Sequence, residues 1–98
     1  MAENLIVIAY LTAKPGKEKE ARKHIRALVA PTHAEKGCIN YDLHEMHGDP
    51  AKFMFHETWV SPAHLVAHAK SAHMKAFRKI LPEFLVGMPD ITLWTKIK

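Results

Sequence analysis

The segment Glu57-Thr-Trp59-Val-Ser61-Pro-Ala-His64-Leu-Val-Ala-His68-Ala-Lys-Ser71-Ala-His73 brings a carboxylate, an indole and three imidazoles to one short stretch of chain. Acidic and imidazole groups are costly to bury without partners, so on the inner face of a small domain they mark a candidate site. Imidazole titrates near neutral pH and serves as base or proton shuttle, which makes His68 the candidate proton acceptor. His64 and His68 are four residues apart and share a helix face. His-x-x-x-His can chelate zinc, but no Cys or Asp stands nearby to complete a tetrahedral set, and His68 precedes a turn; no metal is expected. For His64, a packing or surface role is at least as good a reading. Glu57 alternates with Phe53, Phe55 and Trp59, so it points to the same buried side and needs a partner or a raised pKa. His68, His73 or a backbone N–H are its candidate partners. It either orients a catalytic histidine or ties the sheet to the second helix, the commoner use of a buried carboxylate.

Asn40 and Tyr41 are neighbours on a strand, so only one of them can face the helices. Asn40 can hydrogen-bond a substrate carbonyl, and Tyr41 can pack the core with its hydroxyl at a rim; both also read as ordinary sheet residues. Trp59, Phe53, Phe55, Phe77 and Met74 can line a pocket for a flat aromatic ligand, although such stripes more often simply fill cores.

Positioning these groups takes two units of alternating strand and helix. Leu5 to Leu11 reads as a strand apolar on both faces. After the turn Lys14-Pro15-Gly16-Lys17, a helix runs from about Lys17 to His33 with Ala21, Ile25, Leu28 and Val29 as its apolar stripe, and Pro31 is its expected kink or stop. Cys38 to Met46 alternates Ile39, Tyr41 and Leu43 against Asn40, Asp42 and His44. Lys52 to Val60 puts Phe53, Phe55, Glu57 and Trp59 on one face, and His47-Gly48-Asp49-Pro50 joins the two strands as a hairpin. Ser61-Pro62 starts a helix to about Ala69, Ser71 caps a second piece to Leu81, and Ile91 to Ile97 is the last strand. The order β-α-β-β-α-β predicts an α+β ferredoxin-like sandwich, a four-stranded antiparallel sheet with helices on one face. The other face is left uncovered although strand one is apolar there, which predicts a homodimer with sheets packed face to face.

The 98 residues are 48% hydrophobic and 24% charged, which fits one folded domain over residues 1–98. The single cysteine, Cys38, excludes an intrachain disulfide, and no signal peptide or bilayer-length apolar run is present, so a cytoplasmic location is expected. The net charge of +4 comes with mixed signs, Lys14, Lys17, Lys19, Arg22, Lys23 and Arg26 against Glu18 and Glu20. No aromatic stacking platform accompanies it, so neither a nucleic-acid nor a membrane partner is expected. A phosphate-binding glycine loop, a dinucleotide fingerprint and a Gly-x-Ser-x-Gly elbow are all absent.

Lys14-Pro15-Gly16-Lys17, Glu35-Lys-Gly37-Cys38-Ile-Asn-Tyr41, Phe55-His-Glu57-Thr-Trp59-Val-Ser61 and His68-Ala-Lys-Ser71-Ala-His73, in this order, resemble the antibiotic biosynthesis monooxygenase (ABM) domain family, most closely its small bacterial quinol monooxygenase-like members. The resemblance covers nearly the whole chain. It implies a dimeric ferredoxin-like α+β barrel with a pocket between sheet and helices. It also implies oxidation of quinols, phenols or polyketide-like aromatics by O₂ without metal or flavin cofactor, since the substrate supplies the electrons. Carried onto this sequence, Trp59, Asn40 and His68 become the contact or proton-transfer residues; Glu57, Tyr41, His73, Phe55, Phe77 and Met74 become pocket residues. Haem-degrading relatives carry an Asn and a haem-ligating His where this chain has Ile8 and Arg78, which argues against haem. Other relatives isomerise a small phosphorylated metabolite, so an isomerase or a binding protein for such a molecule is the alternative.

Overall fold

Each strand is built from residues that suit a half-buried pleat, and the helices supply the second half of the core. In the computed structural model, which describes residues 4–98, the order is β1 (Leu5–Thr12), α1 (Glu18–Arg26), α2 (Val29–His33), β2 (Cys38–Met46), β3 (Asp49–Trp59), α3 (Pro62–Ala69), α4 (Ala72–Ile80), a 3-10 turn (Leu81–Glu83) and β4 (Asp90–Trp94). The sheet order is β2-β3-β1-β4 with every neighbouring pair antiparallel, the expected α+β ferredoxin-like arrangement. Val7, Ala9 and Leu11 of β1, Tyr41 of β2, and Phe53, Phe55, Glu57 and Trp59 of β3 form the buried sheet face. Ala21, Ile25, Leu28, Phe77 and Leu81 cover it from the helices, with Phe84 and Leu85 closing one end.

The first helical segment breaks at Ala27-Leu28 rather than at Pro31. The amide of Leu28 bonds to the Ile25 carbonyl in a tightened turn, and a new helix begins at Val29. Pro31 thus falls in a first turn, where its missing N–H leaves no helical bond unmade. Ile39 does not share the buried face of Tyr41 and Leu43. A bulge between Cys38 and Asn40 makes it the extra residue of β2 and turns it outward. The last strand ends at Trp94, not Ile97; Trp94 pairs with Ile6, and the start of β1 is used up one residue later. The hairpin turn is shorter than expected, with β3 already begun at Asp49.

On the far side of the sheet, Ile6, Ile8 and Met54 are half-buried, while Tyr10 and Trp94 are 54% and 55% exposed. Among the described residues, no helix is long and apolar enough to cross a membrane.

Candidate active site

Two serine caps place the imidazoles. The Ser61 hydroxyl accepts from the His64 amide and Pro62 opens α3, which sets His68 on the helix's inner side in its last turn. The Ser71 hydroxyl accepts from the Met74 amide to start α4 and donates to the His68 carbonyl at 2.6 Å, fixing the corner between the two helices. His73 follows in the first turn of α4. His64 leaves this group: its Nδ1 lies 2.8 Å from the Ser61 hydroxyl and its ring packs against Gly37.

The partner that sequence reasoning missed is Glu35, in the turn after α2. Its Oε2 lies 2.6 Å from His68 Nδ1 and 3.0 Å from His73 Nε2. The Thr32 hydroxyl is 3.1 Å from the same His73 nitrogen. Glu57 uses none of its expected partners. It accepts from Trp59 Nε1 at 2.9 Å, because residues two apart on a strand project from the same face. The acid that orients a histidine is therefore Glu35, not Glu57.

A cavity of about 390 Å³ opens between the sheet and α3–α4. Tyr41, Phe55, Glu57, His68, Met74 and Phe77 line it, joined by Ala9, Leu65, Ile91, Leu93 and Arg78. Trp59 and His73 stand behind that wall. Trp59 is fully buried with its ring 4.8 Å from that of His68, and His73 reaches the cavity only through Glu35 and His68. Asn40 is on the opposite face of the sheet, because strand alternation gives the inner side to Tyr41; it bonds Asp42 and both the ring and the carbonyl of His56. A larger open groove of about 830 Å³ lies between α1–α2 and β2, lined by Arg22, Arg26, His33 and His44 with Asp42 and Glu45. Its charges are exposed, Arg22 already pairs with Glu45, and its buried Tyr41 also lines the smaller cavity. The smaller apolar cavity with few convergent polar groups is the better candidate.

The electrostatics of the cavity follow from burial. Burial lowers the His68 pKa, against the opposing hydrogen bond to Glu35, and so favours the neutral ring. A carboxylate only accepts, so His68 donates from Nδ1 and its lone pair is on Nε2. That nitrogen has no hydrogen-bond partner yet is not sealed off, since no fully buried side-chain N or O among the described residues lacks one. His68 lines the cavity. Burial raises the Glu57 carboxyl to about 7, with the Trp59 N–H opposing and the Glu35 charge adding. Burial also raises the Tyr41 hydroxyl, and Cys38 is pushed up to about 11, which leaves it an unreactive thiol. The arrangement can bind a flat ring among Phe55, Tyr41, Met74 and Phe77, and take a proton from it at His68.

Fold and site together define a small α+β domain with an imidazole at the wall of an apolar cavity, and the comparisons identify the class. The model of the family "Antibiotic biosynthesis monooxygenase" matches residues 4–80, and the chain belongs to that family. "Putative monooxygenase YcnE" of Bacillus subtilis (strain 168) is 33% identical over 87 residues, 89% of this chain and 92% of that protein. "Putative monooxygenase Rv0793" of Mycobacterium tuberculosis is 30% identical over 95% of this chain and 91% of its own. The crystal structure of PA3566 from Pseudomonas aeruginosa superposes with a TM-score of 0.95 at 34% identity, covering 100% of this chain and 98% of that one.

Proposed function

We propose that this protein is a cofactor-independent monooxygenase that oxidises a quinol, phenol or polyketide-like aromatic with O₂. The observation that carries the reading is the Glu35–His68 pair at 2.6 Å on the wall of the apolar cavity. His68 Nε2 takes the hydroxyl proton of the bound ring, and the Glu35 carboxylate steadies the imidazolium that forms. The phenolate left behind is electron-rich and reduces O₂ directly. One oxygen atom enters the ring as a new carbonyl oxygen and the other leaves as water, with all four electrons drawn from the substrate. Protonated Glu57 and Tyr41 are the available donors to the developing oxyanion. Trp59 acts from behind the wall, holding the Glu57 carboxyl and packing His68. Family membership supports the oxygenase class; the substrate class rests on the cavity's shape and lining.

The second reading is an isomerase or binding protein for a small oxygenated, or phosphorylated, metabolite. Arg78 favours it, since it lines the cavity, and its guanidinium, which donates to the Ala69 carbonyl, carries a charge that suits an anionic substituent. Turnover under ¹⁸O₂ separates the two: the oxygenase puts one labelled atom into its product, and the isomerase puts in none.

A further inference from the structure

We propose that Glu35, His68 and His73 also form a binding site for a divalent transition ion of the zinc type, and that the bound ion switches His68 off as a base. The first half stands on geometry alone; the second rests on the function proposed above. Each of the three side chains offers one ligand atom, and all three atoms lie within 4.8 Å of one another. They come from three separate segments: the turn after α2, the end of α3 and the first turn of α4. The Ser71 cap pins the latter two together. Sequence spacing pointed instead to His64 with His68, and His64 is bonded elsewhere.

Zinc–ligand distances of about 2.0–2.2 Å in a tetrahedral site put ligand atoms roughly 3.4 Å apart. The Glu35–His68 and Glu35–His73 separations are 2.6 and 3.0 Å and must open by under about 1 Å, while the two imidazole nitrogens, within 4.8 Å of each other, must close by up to about 1.4 Å, so small side-chain rotations of Glu35 and the imidazoles admit the ion. The hydrogen-bonded triad and the metal site are then two states of the same atoms, with one ion in place of two imidazole N–H protons. Two imidazoles and one carboxylate favour Zn²⁺, Co²⁺ or Ni²⁺ over Mg²⁺ and Ca²⁺. Access is from the His73 side, where the Glu35 and His73 side chains are 16% and 22% exposed against 6% for His68. Water from that side supplies a fourth ligand, and the Thr32 and Ser71 hydroxyls, 3.1 and 3.4 Å from His73 Nε2, stand beside the site.

The consequence for His68 is a change of tautomer. Without the ion, Nδ1 carries the proton and Nε2 the lone pair. With the ion on Nδ1, the neutral ring must carry its proton on Nε2, and the cavity then faces a donor where the reaction needs an acceptor.

The test is calorimetric titration of untagged, chelator-stripped protein with Zn²⁺, together with the absorption spectrum of the Co²⁺ form. The expected result is one ion per chain, with the intense visible bands of four- or five-coordinate Co²⁺. Affinity should fall at least about tenfold in Glu35→Gln and in His73→Gln, and stay unchanged in His64→Gln. Circular dichroism confirms folding of each variant; if one fails to fold, the other and the wild-type Co²⁺ spectrum decide. Absence of stoichiometric binding, an octahedral Co²⁺ spectrum, or affinity indifferent to both substitutions overturns the site. Saturating Zn²⁺ should abolish turnover of a responsive substrate. Unchanged turnover with the ion bound overturns the switch, and the binding result holds or fails whatever the reaction proves to be.

Discussion

His68 and Glu57 are both buried titratable groups, and burial lowers the pKa of one and raises that of the other. His68 has an acid at hydrogen-bond distance on one nitrogen and the cavity on the other. Glu57 has an indole N–H and otherwise apolar walls. Replacing Glu35 with Gln keeps an acceptor for His68 Nδ1 but removes the negative charge that steadies the imidazolium. Initial-rate kinetics should show kcat lower by about ten- to a hundredfold with KM little changed. Glu57 has a distinct thermodynamic signature. Its carboxyl titrates near pH 4.5 when unfolded and near 7 in the fold, so between those values the folded chain binds the extra proton. Stability therefore falls as pH rises across that window and is flat on either side. Glu57→Gln keeps the acceptor for Trp59 and removes the penalty. Urea unfolding should find the variant more stable than wild type at pH 8, by an amount on the order of a few kcal/mol, and nearly equal to it at pH 4.

Caps and turns place these groups, and the cost of disturbing them is local. Ser71→Ala loses both the α4 cap and the bond to the His68 carbonyl, and should cost about 1–2 kcal/mol by denaturant titration. Gly37 has a φ of +86°, and a Cβ there would stand 2.2 Å from the His64 ring. Gly16 has a similar φ of +83° with nothing within 4 Å. Gly37→Ala should therefore cost at least about 2 kcal/mol and Gly16→Ala about 1, the difference reporting the clash rather than the backbone. Most of this element scale was legible in the sequence. Alternation gave the Phe53–Trp59 face, and Ser61-Pro62 and Ser71 gave the two helix starts, because these signals are local. The break at Ala27-Leu28 and the bulge at Ile39 carry no such signal; tertiary packing decides them. Glu35 was invisible for a stronger reason. It sits 33 residues before His68, no periodicity relates the two, and its turn reads as punctuation. Asn40, chosen for its amide and by resemblance, lies on the other face for a local reason: strand alternation excludes it once Tyr41 is seen to point inward.

At the scale of the whole molecule, the sheet separates two faces with different fates. The inner face holds the cavity. The outer face presents Ile6, Ile8, Tyr10, Met54 and Trp94 with no element among the described residues to cover them. We expect two copies to pack these faces together. Tyr10→Lys combined with Trp94→Lys should leave a folded monomer by sedimentation, where wild type sediments as a dimer; an unchanged mass would contradict that packing. The central claim is that His68, held by Glu35, is the base of a cofactor-free oxidation in the inner cavity. Its most direct test is O₂ consumption by metal-stripped protein with a panel of naphthoquinols and polyphenols, corrected for autoxidation, in wild type and in folded His68→Ala. The account predicts enzyme-dependent uptake that falls by about a hundredfold or more in the variant. Equal uptake by the two proteins would contradict it.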